Sequence, residues 1–219
     1  MRDTINFLLA GVGGQGTILA SDVLVNVGLA AGYQAKQAEV HGMSQRGGSV
    51  TGHVRWGKVV YSPLVGAGEV DVYLAFEKAE ALRNLGQLQP GALAVVNMQA
   101  IEPVTVTSGG QSYPDDEALR RGVAQVTDRA VYVDGAAIAE GLGNIRAANV
   151  VLLGALSALM ERAGLAGIEL APETWLGVIT ARVPAKYAEL NRRAFEAGRA
   201  AVGWPRGVAP EGRPPCRRP

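Results

Sequence analysis

Near its start the chain reads Leu8-Leu9-Ala10-Gly11-Val12-Gly13-Gly14-Gln15-Gly16-Thr17. An apolar run over residues 5–10 precedes the glycines, and an amphipathic helical pattern over residues 17–31 follows them. The stretch therefore predicts a buried strand, a tight turn and a helix. The free N–H groups and the positive dipole end of such a helix favour an anion. We expect the turn either to approach a negatively charged ligand or simply to join strand and helix.

The spacing of Gly11, Gly13 and Gly16 matches the dinucleotide-binding fingerprint G-x-G-x-x-G. That motif uses an acidic residue about 20 positions further on to hold the ribose hydroxyls, and Glu39 lies near that separation. Alternatively, Glu39 is a solvated residue at the end of a strand and binds no ligand. Thr17 follows Gly16 directly and no lysine precedes it, which excludes a phosphate-binding P-loop.

Strand and helix patterns alternate along the whole chain. Further strands are expected at 33–40, 70–76, 92–97 and 130–134. Further helices are expected at 77–85, 115–125, 135–141, 148–163, 172–181 and 185–202. We also predict a hairpin formed by 49–56 and 59–62, and an edge strand at 104–107. This order predicts an α/β fold, a Rossmann-like three-layer domain with a mainly parallel sheet and a β-hairpin insertion.

Composition sets limits on the class of protein. Residues 1–202 are expected to form a single domain, and residues 203–219, rich in proline and arginine, a disordered tail. With 48% hydrophobic and 19% charged residues the chain resembles ordinary soluble proteins. A net charge of +1 gives no reason to expect nucleic acid or a membrane surface as a partner. No bilayer-length apolar stretch and no signal peptide are recognised, so a cytoplasmic location is expected by default.

Metal ligands are scarce in this sequence. Its single cysteine is Cys216, and its histidines are His41 and His53. One cysteine cannot hold an iron–sulfur cluster or a structural zinc ion, so no metal site is expected in this chain.

A second glycine-bearing loop follows the second predicted strand and reads His41-Gly42-Met43-Ser44-Gln45-Arg46-Gly47-Gly48. Because ligands of α/β folds bind beyond the carboxyl ends of the strands, both loops are expected to lie close together at that edge. Arg46, beside two glycines, has the chemistry to bind a carboxylate or phosphate, and an ordinary exposed arginine is the alternative. His41 could titrate near neutral pH, and Asn144 is either a helix cap or a polar contact.

Several stretches together resemble a known family. They are residues 11–16 with 39–50, the run 143–156 (Gly-Asn-Ile-Arg-Ala-Ala-Asn followed by apolar residues), and residues 186–195. They are similar to the small (beta) subunit of indolepyruvate:ferredoxin oxidoreductase, and more broadly to the gamma subunit or domain of 2-oxoacid:acceptor oxidoreductases. The resemblance covers about residues 5–202.

This resemblance implies a multi-subunit enzyme that oxidatively decarboxylates an arylpyruvate with coenzyme A as cosubstrate and passes electrons to ferredoxin. A large (alpha) partner subunit would carry thiamine diphosphate, magnesium and the iron–sulfur clusters. This chain would bind no cofactor alone, since it lacks both the cysteines and a Gly-Asp-Gly thiamine motif. Indolepyruvate, phenylpyruvate, hydroxyphenylpyruvate and smaller oxoacids all stay open as substrates.

The functional residues are expected in the two loops, with none of them catalytic. The substrate- or cofactor-facing set is Gly11, Gly13, Gly14, Gln15, Gly16, Ser44, Gln45, Arg46, Gly47 and Gly48, with Glu39, His41 and Asn144 as further candidates. A stand-alone NAD(P)-dependent dehydrogenase and a non-catalytic Rossmann-like scaffold are the alternative functions.

Overall fold

The computed structural model describes residues 4–42, 47–110, 112–165 and 170–203. The strands are β1 Thr4–Val12, β2 Gln34–His41, β3 Ser49–Gly57, β4 Val70–Ala75, β5 Leu88–Asn97 and β6 Ala130–Val133. The helices are α1 Thr17–Ala30, α2 Lys78–Arg83, α3 Val104–Thr107, α4 Asp116–Ala124, α5 Gly135–Gly141, α6 Ala148–Ala163, α7 Pro172–Arg182 and α8 Ala188–Ala201. Single 3-10 turns cover Leu85–Gln87, Ile145–Ala147 and Ala185–Tyr187. Residues 204–219, most of the predicted tail, lie outside the described ranges.

The six strands form one sheet in the order β2-β3-β1-β4-β5-β6. Strands β1, β4, β5 and β6 pair in parallel, whereas β3 runs antiparallel to both of its neighbours, β1 and β2. Five of these strands therefore point the same way, and their carboxyl ends meet at one edge of the sheet. We call it the carboxyl edge. The predicted α/β fold with a mainly parallel sheet is confirmed.

The hairpin lies elsewhere than the sequence predicted. Strand β3 pairs along its whole length with β1 on one side and with β2 on the other, so neither edge is free for residues 59–62. Those residues are not a strand, and the prediction of a hairpin around Gly57-Lys58 is wrong. They alternate in polarity because Val60 is buried while Tyr61 is exposed, and the Val60 N–H donates to Gln34 Oε1 at 3.1 Å. The actual hairpin is formed by β2 and β3.

The predicted edge strand at 104–107 is also wrong, because these residues form the one-turn helix α3. Their β-branched composition favours a strand. Local hydrogen bonds prevail instead, since the Pro103 carbonyl accepts from the N–H groups of Val106 at 2.9 Å and Thr107 at 3.2 Å.

Helices cover both faces of the sheet, which gives the three layers that were predicted. On one face, α1, α5, α6, α7 and α8 share a core with apolar residues of β1 and β3 to β6. On the other face, α2 and α4 contribute Ala81, Leu119 and Val123 to a smaller core. Helix α6 is buried from Asn149 to Met160, so its mostly apolar surface packs within this chain.

The contact between α6 and α8 leaves no room for side chains at two glycines. A Cβ atom on Gly154 would lie 2.1 Å from the Phe195 carbonyl oxygen, and one on Gly198 would lie 1.9 Å from the Val151 carbonyl oxygen. Arg199 closes this contact, because its guanidinium donates to Ser157 Oγ at 2.8 Å and to Glu161 at 2.5 Å. The close approach of the two backbones therefore requires glycine at both positions.

Candidate functional site

The first glycine turn lies between β1 and α1 at the carboxyl edge. Gly16 has a φ of 80° and occupies the N-cap position of α1, where it offers no side-chain acceptor, and the first turn of the helix contains no acidic residue. The first hydrogen bond inside α1 runs from the Ala20 N–H to the Gly16 carbonyl at 3.1 Å. The N–H groups of the preceding helical residues thus point toward the edge, where the helix dipole favours an anion.

Two of these glycines are also fixed by close neighbours. A Cβ atom on Gly11 would lie 2.9 Å from Phe76 Cβ, and one on Gly16 would lie 2.5 Å from Asn149 Nδ2. Asn149 is buried at the start of α6, and its Oδ1 accepts from the Val150 N–H at 2.9 Å. The turn therefore sits tightly between β4 and α6, which defines its position at the edge.

Gln15 uses its side chain to hold this turn. Its Oε1 accepts from the Val12 N–H at 2.8 Å, and its Nε2 donates to the Phe76 carbonyl at 2.8 Å and to Gln99 Oε1 at 2.9 Å. Both amide hydrogens are thus engaged with the chain itself. The side chain of Gln15, a predicted ligand-facing residue, is therefore directed into the protein.

Asn97, which the sequence analysis did not single out, plays a similar part at the end of β5. The residue is 1% exposed. Its Nδ2 donates to the Phe76 carbonyl at 2.9 Å, and its Oδ1 accepts from the Gly135 N–H at 3.0 Å. Gln15 and Asn97 therefore meet at the same carbonyl, and together they tie the glycine turn to the start of α5.

The two glycine-bearing loops touch, as predicted. The Gly13 N–H donates to the Gly48 carbonyl at 2.9 Å, which joins the two loops, and the Gly42 N–H donates to the Ser49 carbonyl at 3.4 Å between the ends of β2 and β3. Gly47 is exposed with a φ of 74°. Ser44, Gln45 and Arg46 lie outside the described residues, so their role stays a prediction.

Glu39 does not lie on a strand adjacent to the glycine turn. It pairs with Gly52 of β3, and β3 separates β2 from β1. Neighbouring strands are about 4.8 Å apart, so β2 is about twice that distance from β1. In the dinucleotide fingerprint, the acidic residue must reach a ribose bound over the first turn. Glu39 Oε1 is instead buried and has no hydrogen-bond partner among the described residues.

The other two candidates occupy different surroundings. His41 is exposed at the end of β2, where it pairs with Val50 at the carboxyl edge. Asn144 caps the 3-10 turn before α6, because its Oδ1 accepts from the Arg146 N–H at 3.0 Å. Of the two readings given for Asn144, the cap is the one that the geometry supports.

Two buried carboxylates behind the loops escaped the sequence analysis. Glu77 is 1% exposed and Glu80 is 3% exposed, and both belong to the short α2 segment that follows β4. Their only sequence signal is position, since Glu77 comes directly after a buried apolar strand and therefore lies at the carboxyl edge. Acidic residues three apart on a helix normally indicate a solvated face, so the spacing of Glu77 and Glu80 does not predict their burial.

Each carboxylate is held by several donors. Glu77 accepts from the N–H groups of Glu80 at 2.9 Å and Ile101 at 3.2 Å, and from the Tyr113 hydroxyl. Burial raises the pKa of Glu77 despite the backbone hydrogen bonds, which act in the opposite direction. Glu80 accepts from Ser49 Oγ at 2.6 Å and from the guanidinium of Arg83.

Tyr73 completes this buried cluster from β4. Its hydroxyl donates to the backbone carbonyls of Glu80 at 2.9 Å and Ala81 at 3.2 Å. The pKa of Tyr73 is raised well above its usual value, first by burial and then by the nearby negative charges of Glu80 and Glu77. The phenol therefore stays protonated and acts as a fixed donor to α2.

The described residues contain no group of three or more His, Cys, Asp or Glu side chains placed to hold a metal ion. Within the same residues, no helix is both long enough and apolar enough to cross a membrane.

Comparison with known proteins identifies the family. Residues 6–201 match the family model described as pyruvate ferredoxin/flavodoxin oxidoreductase. The indolepyruvate oxidoreductase subunit IorB of Thermococcus kodakarensis is 41% identical over 194 residues, which cover 88% of this chain and 93% of the relative. The chain belongs to the pyruvate ferredoxin/flavodoxin oxidoreductase family. The expectation of an oxidoreductase subunit is confirmed.

Solved structures show the same fold at lower identity. The gamma subunit of a keto/oxoacid ferredoxin oxidoreductase from Geobacter sulfurreducens superposes with a TM-score of 0.64 at 24% identity, covering 90% of this chain and 97% of that one. The 2-oxoglutarate:ferredoxin oxidoreductase of Magnetococcus marinus gives a TM-score of 0.65 at 20% identity, covering 92% of this chain but 31% of that one. The fold thus occurs both as a separate subunit and as part of a longer chain.

Proposed function

We propose that this chain is the small subunit of a multi-subunit enzyme that oxidatively decarboxylates an arylpyruvate. In that reaction the oxoacid and coenzyme A give an acyl-coenzyme A and carbon dioxide, and the electrons pass to ferredoxin. The observation that carries the proposal is the 41% identity to an indolepyruvate oxidoreductase subunit over nearly the whole length of both proteins. A substrate of the indolepyruvate type follows from that relative's name.

The cofactors belong on a large partner subunit in this proposal. Thiamine diphosphate with magnesium would supply the decarboxylation there, and iron–sulfur clusters would supply the electron transfer. The single cysteine, Cys216, cannot ligate a cluster, and the described part of this chain offers no grouped metal ligands. This chain therefore contributes binding and positioning rather than cofactor chemistry.

We assign that contribution to the carboxyl edge of the sheet. The first turn of α1 offers N–H donors and a positive dipole end, and Gly13 holds Gly48 beside it. Arg46 is two residues from Gly48 in the sequence, and we propose that its guanidinium binds an anion at the same edge. The oxoacid carries a carboxylate and coenzyme A carries phosphates, and a guanidinium can bind either group with two parallel hydrogen bonds.

The first test is the activity of the complex. The chain would be copurified with its large subunit and supplied with coenzyme A, a dye acceptor and a panel of oxoacids: indolepyruvate, phenylpyruvate, hydroxyphenylpyruvate, pyruvate and 2-oxoglutarate. We expect dye reduction by the complex, fastest with an arylpyruvate, and no turnover by either chain alone. Turnover by this chain alone, or an exclusive preference for pyruvate or 2-oxoglutarate, would refute the proposal.

The second test concerns Arg46. In the complex, Arg46→Ala should lower turnover or apparent affinity about ten- to a hundredfold, because a hydrogen bond to a charged group contributes about 1.5–3 kcal/mol. Arg46→Lys should recover part of that loss. Arg121→Ala, which removes an exposed guanidinium from α4, is the matched control. Wild-type constants for both substrates in Arg46→Ala would make this residue an ordinary surface arginine.

If the chain were a stand-alone NAD(P)-dependent dehydrogenase, it would bind a nicotinamide cofactor tightly. The insertion of β3 between β1 and β2, which moves Glu39 away from the glycine turn, argues against it. Calorimetric titration of the chain with NADH and NADPH should show no binding below the millimolar range. A micromolar Kd, equal to about 8 kcal/mol of binding free energy, would instead support the function of a stand-alone dehydrogenase.

A further inference from the structure

The outer edge of β2 is one end of the sheet, and no strand of the described residues pairs with it. Strand β2 is registered with β3 from Gln34 to His41 without a bulge, and this range contains no proline. Edge strands are normally protected against further pairing by a bulge, a proline, a charged side chain or a cover. A regular edge of eight residues is therefore available to another strand.

The backbone groups that point outward from β2 follow from its ladder with β3. The Gly42 N–H donates to the carbonyl of Ser49, the residue opposite it, and hydrogen-bonded pairs alternate along an antiparallel ladder. Every second residue from Val40 back to Gln34 thus bonds to β3. The N–H and carbonyl groups of the residues between them point to the outer edge: Ala35, Gln37, Glu39 and His41.

One face of this edge carries exposed apolar side chains. Val40 is 50% exposed, and Tyr61, from the segment that follows β3, is 91% exposed. Lys36 lies on the same face of β2 as Val40, and its Nζ donates to the Tyr61 carbonyl at 3.3 Å. The lysine ammonium, which would otherwise oppose pairing at the edge, is thus directed to its own chain.

We propose that two copies of this chain associate through β2, antiparallel about a two-fold axis at Ala38, and that this contact persists in the complex with the large subunit. A two-fold axis perpendicular to the sheet keeps every side chain on its own face, so opposed residues share a face. An axis at Ala38 places Gln37 opposite Glu39 of the second copy, and Lys36 opposite Val40 of the second copy.

This register suits both faces of the sheet. Outward-pointing residues meet outward-pointing residues, as hydrogen-bonded pairs require. The amide of Gln37 can donate to Glu39 of the second copy, an acid whose Oε1 has no hydrogen-bond partner among the described residues. On the other face, Tyr61 lies beside Lys36 and meets Val40 of the second copy. An axis at Glu39 would instead oppose two carboxylates, and an axis at Lys36 two ammonium groups.

Cysteine cross-linking of the full chain tests the register, in a Cys216→Ser background that removes the native cysteine. Ala38→Cys should give a disulfide-linked dimer under mild oxidation. Opposed residues of a non-hydrogen-bonded pair have Cα atoms about 4.5 Å apart, which a disulfide can span. Lys36→Cys and Val40→Cys are the matched controls, because each residue lies about 13 Å from its own counterpart. Neither should cross-link alone on a non-reducing gel, whereas a mixture of the two should.

Sedimentation velocity tests the same contact without cysteines. The wild-type chain should sediment as a dimer. Gln37→Glu opposes carboxylates at two places in the dimer, and should weaken association about tenfold. Adding Glu39→Gln exchanges the two members of the pair and should restore the wild-type association. Failure of this exchange to restore it, in chains of equal thermal stability, overturns the inference.

The copurified complex supplies the last test. Ala38→Cys should still cross-link there, which requires two copies of this chain in the complex. Loss of that cross-link in the complex would mean that the large subunit covers β2, and it overturns the inference. A monomeric wild-type chain, or cross-linking of Val40→Cys alone, also overturns it. A complex that oxidises none of the oxoacids refutes the proposed function and leaves the association of the two copies standing.

Discussion

The contact between α6 and α8 and the carboxyl edge of the sheet both depend on glycine, but for different physical reasons. Gly154 and Gly198 let two helix backbones approach closely. A Cβ atom at either position would overlap a carbonyl oxygen of the other helix, at 2.1 Å for Gly154 and 1.9 Å for Gly198. At the carboxyl edge, Gly16 permits a left-handed backbone, and polar side chains such as Gln15 hold the turn. The helix contact therefore depends on close packing of two backbones, whereas the edge depends on close side-chain neighbours together with hydrogen bonds that single substitutions can remove.

The largest effect is expected at the helix contact. Gly198→Ala should lower the free energy of unfolding by about 3 kcal/mol, because the added methyl group overpacks a backbone contact that cannot easily move. Urea denaturation, with the slope checked against wild type, measures this change.

Gly177→Ala is the matched control for that substitution. Gly177 lies on an exposed position of α7, and a Cβ atom there meets nothing within 4 Å. Alanine should stabilise this helix by about 0.5–1 kcal/mol. Equal effects of the two substitutions would show that the α6–α8 contact relaxes, and the contrast between the two regions would fail.

An intermediate effect is expected at the carboxyl edge. Gln15→Ala removes an amide that makes three hydrogen bonds, and should lower the free energy of unfolding by about 2 kcal/mol. Gln37→Ala on the exposed edge strand β2 should change it by less than about 0.5 kcal/mol. Should Gln15→Ala instead leave stability unchanged and raise a KM of the complex, Gln15 would be a ligand-facing residue, as the sequence analysis expected.

The smallest effect is a pH dependence. Burial lowers the pKa of His53 below 6.5, and its Nδ1 accepts from the Val65 N–H at 3.3 Å. The unfolded chain therefore binds a proton at higher pH than the folded chain, so stability is lost as pH falls through 6.5 toward the lowered pKa. Unfolding measured at several pH values between 7.5 and 5.5 should show a smaller loss in His53→Gln than in wild type.

Gln37→Ala at an exposed position of β2 is the control for this measurement. It should retain the pH dependence of wild type, because it removes no titratable group. The raised pKa of Glu77 acts with the opposite sign at lower pH, and it cancels when each variant is compared with wild type. An identical pH dependence in His53→Gln and wild type would show that His53 is not the group responsible.

The parts of the fold that follow from local pattern could be predicted. Three features can be recognised from their own segments of sequence: the glycine turn, the continuous apolar strand β4 and the mostly apolar helix α6. Their observed boundaries lie close to those expected. The meeting of the two glycine loops also followed, because strand direction alone brings their ends to one edge. These features need no knowledge of distant partners.

The parts that failed depend on partners far away in the sequence. Residues 59–62 alternate like a strand, but β1 and β2 already occupy both edges of β3. Glu77 and Glu80 resemble solvated helical acids until β4, Ser49 and Tyr113 are packed around them. The three internal hydrogen bonds of Gln15 likewise depend on residues distant in the sequence, and its expected contact with a ligand stays a prediction. Burial of a polar group is decided by tertiary contacts, which no short motif contains.

The segment between β2 and β3 is a hairpin loop, and this has a consequence for how such proteins diverge. Because both flanking strands are registered along their full length by the sheet, the loop can change in length or sequence without shifting that register. Doubling the length of a segment that joins two strands costs only about 0.6 kcal/mol in closure entropy. Insertions and substitutions in residues 42–48 can thus change recognition chemistry without changing the pairing of β2 with β3.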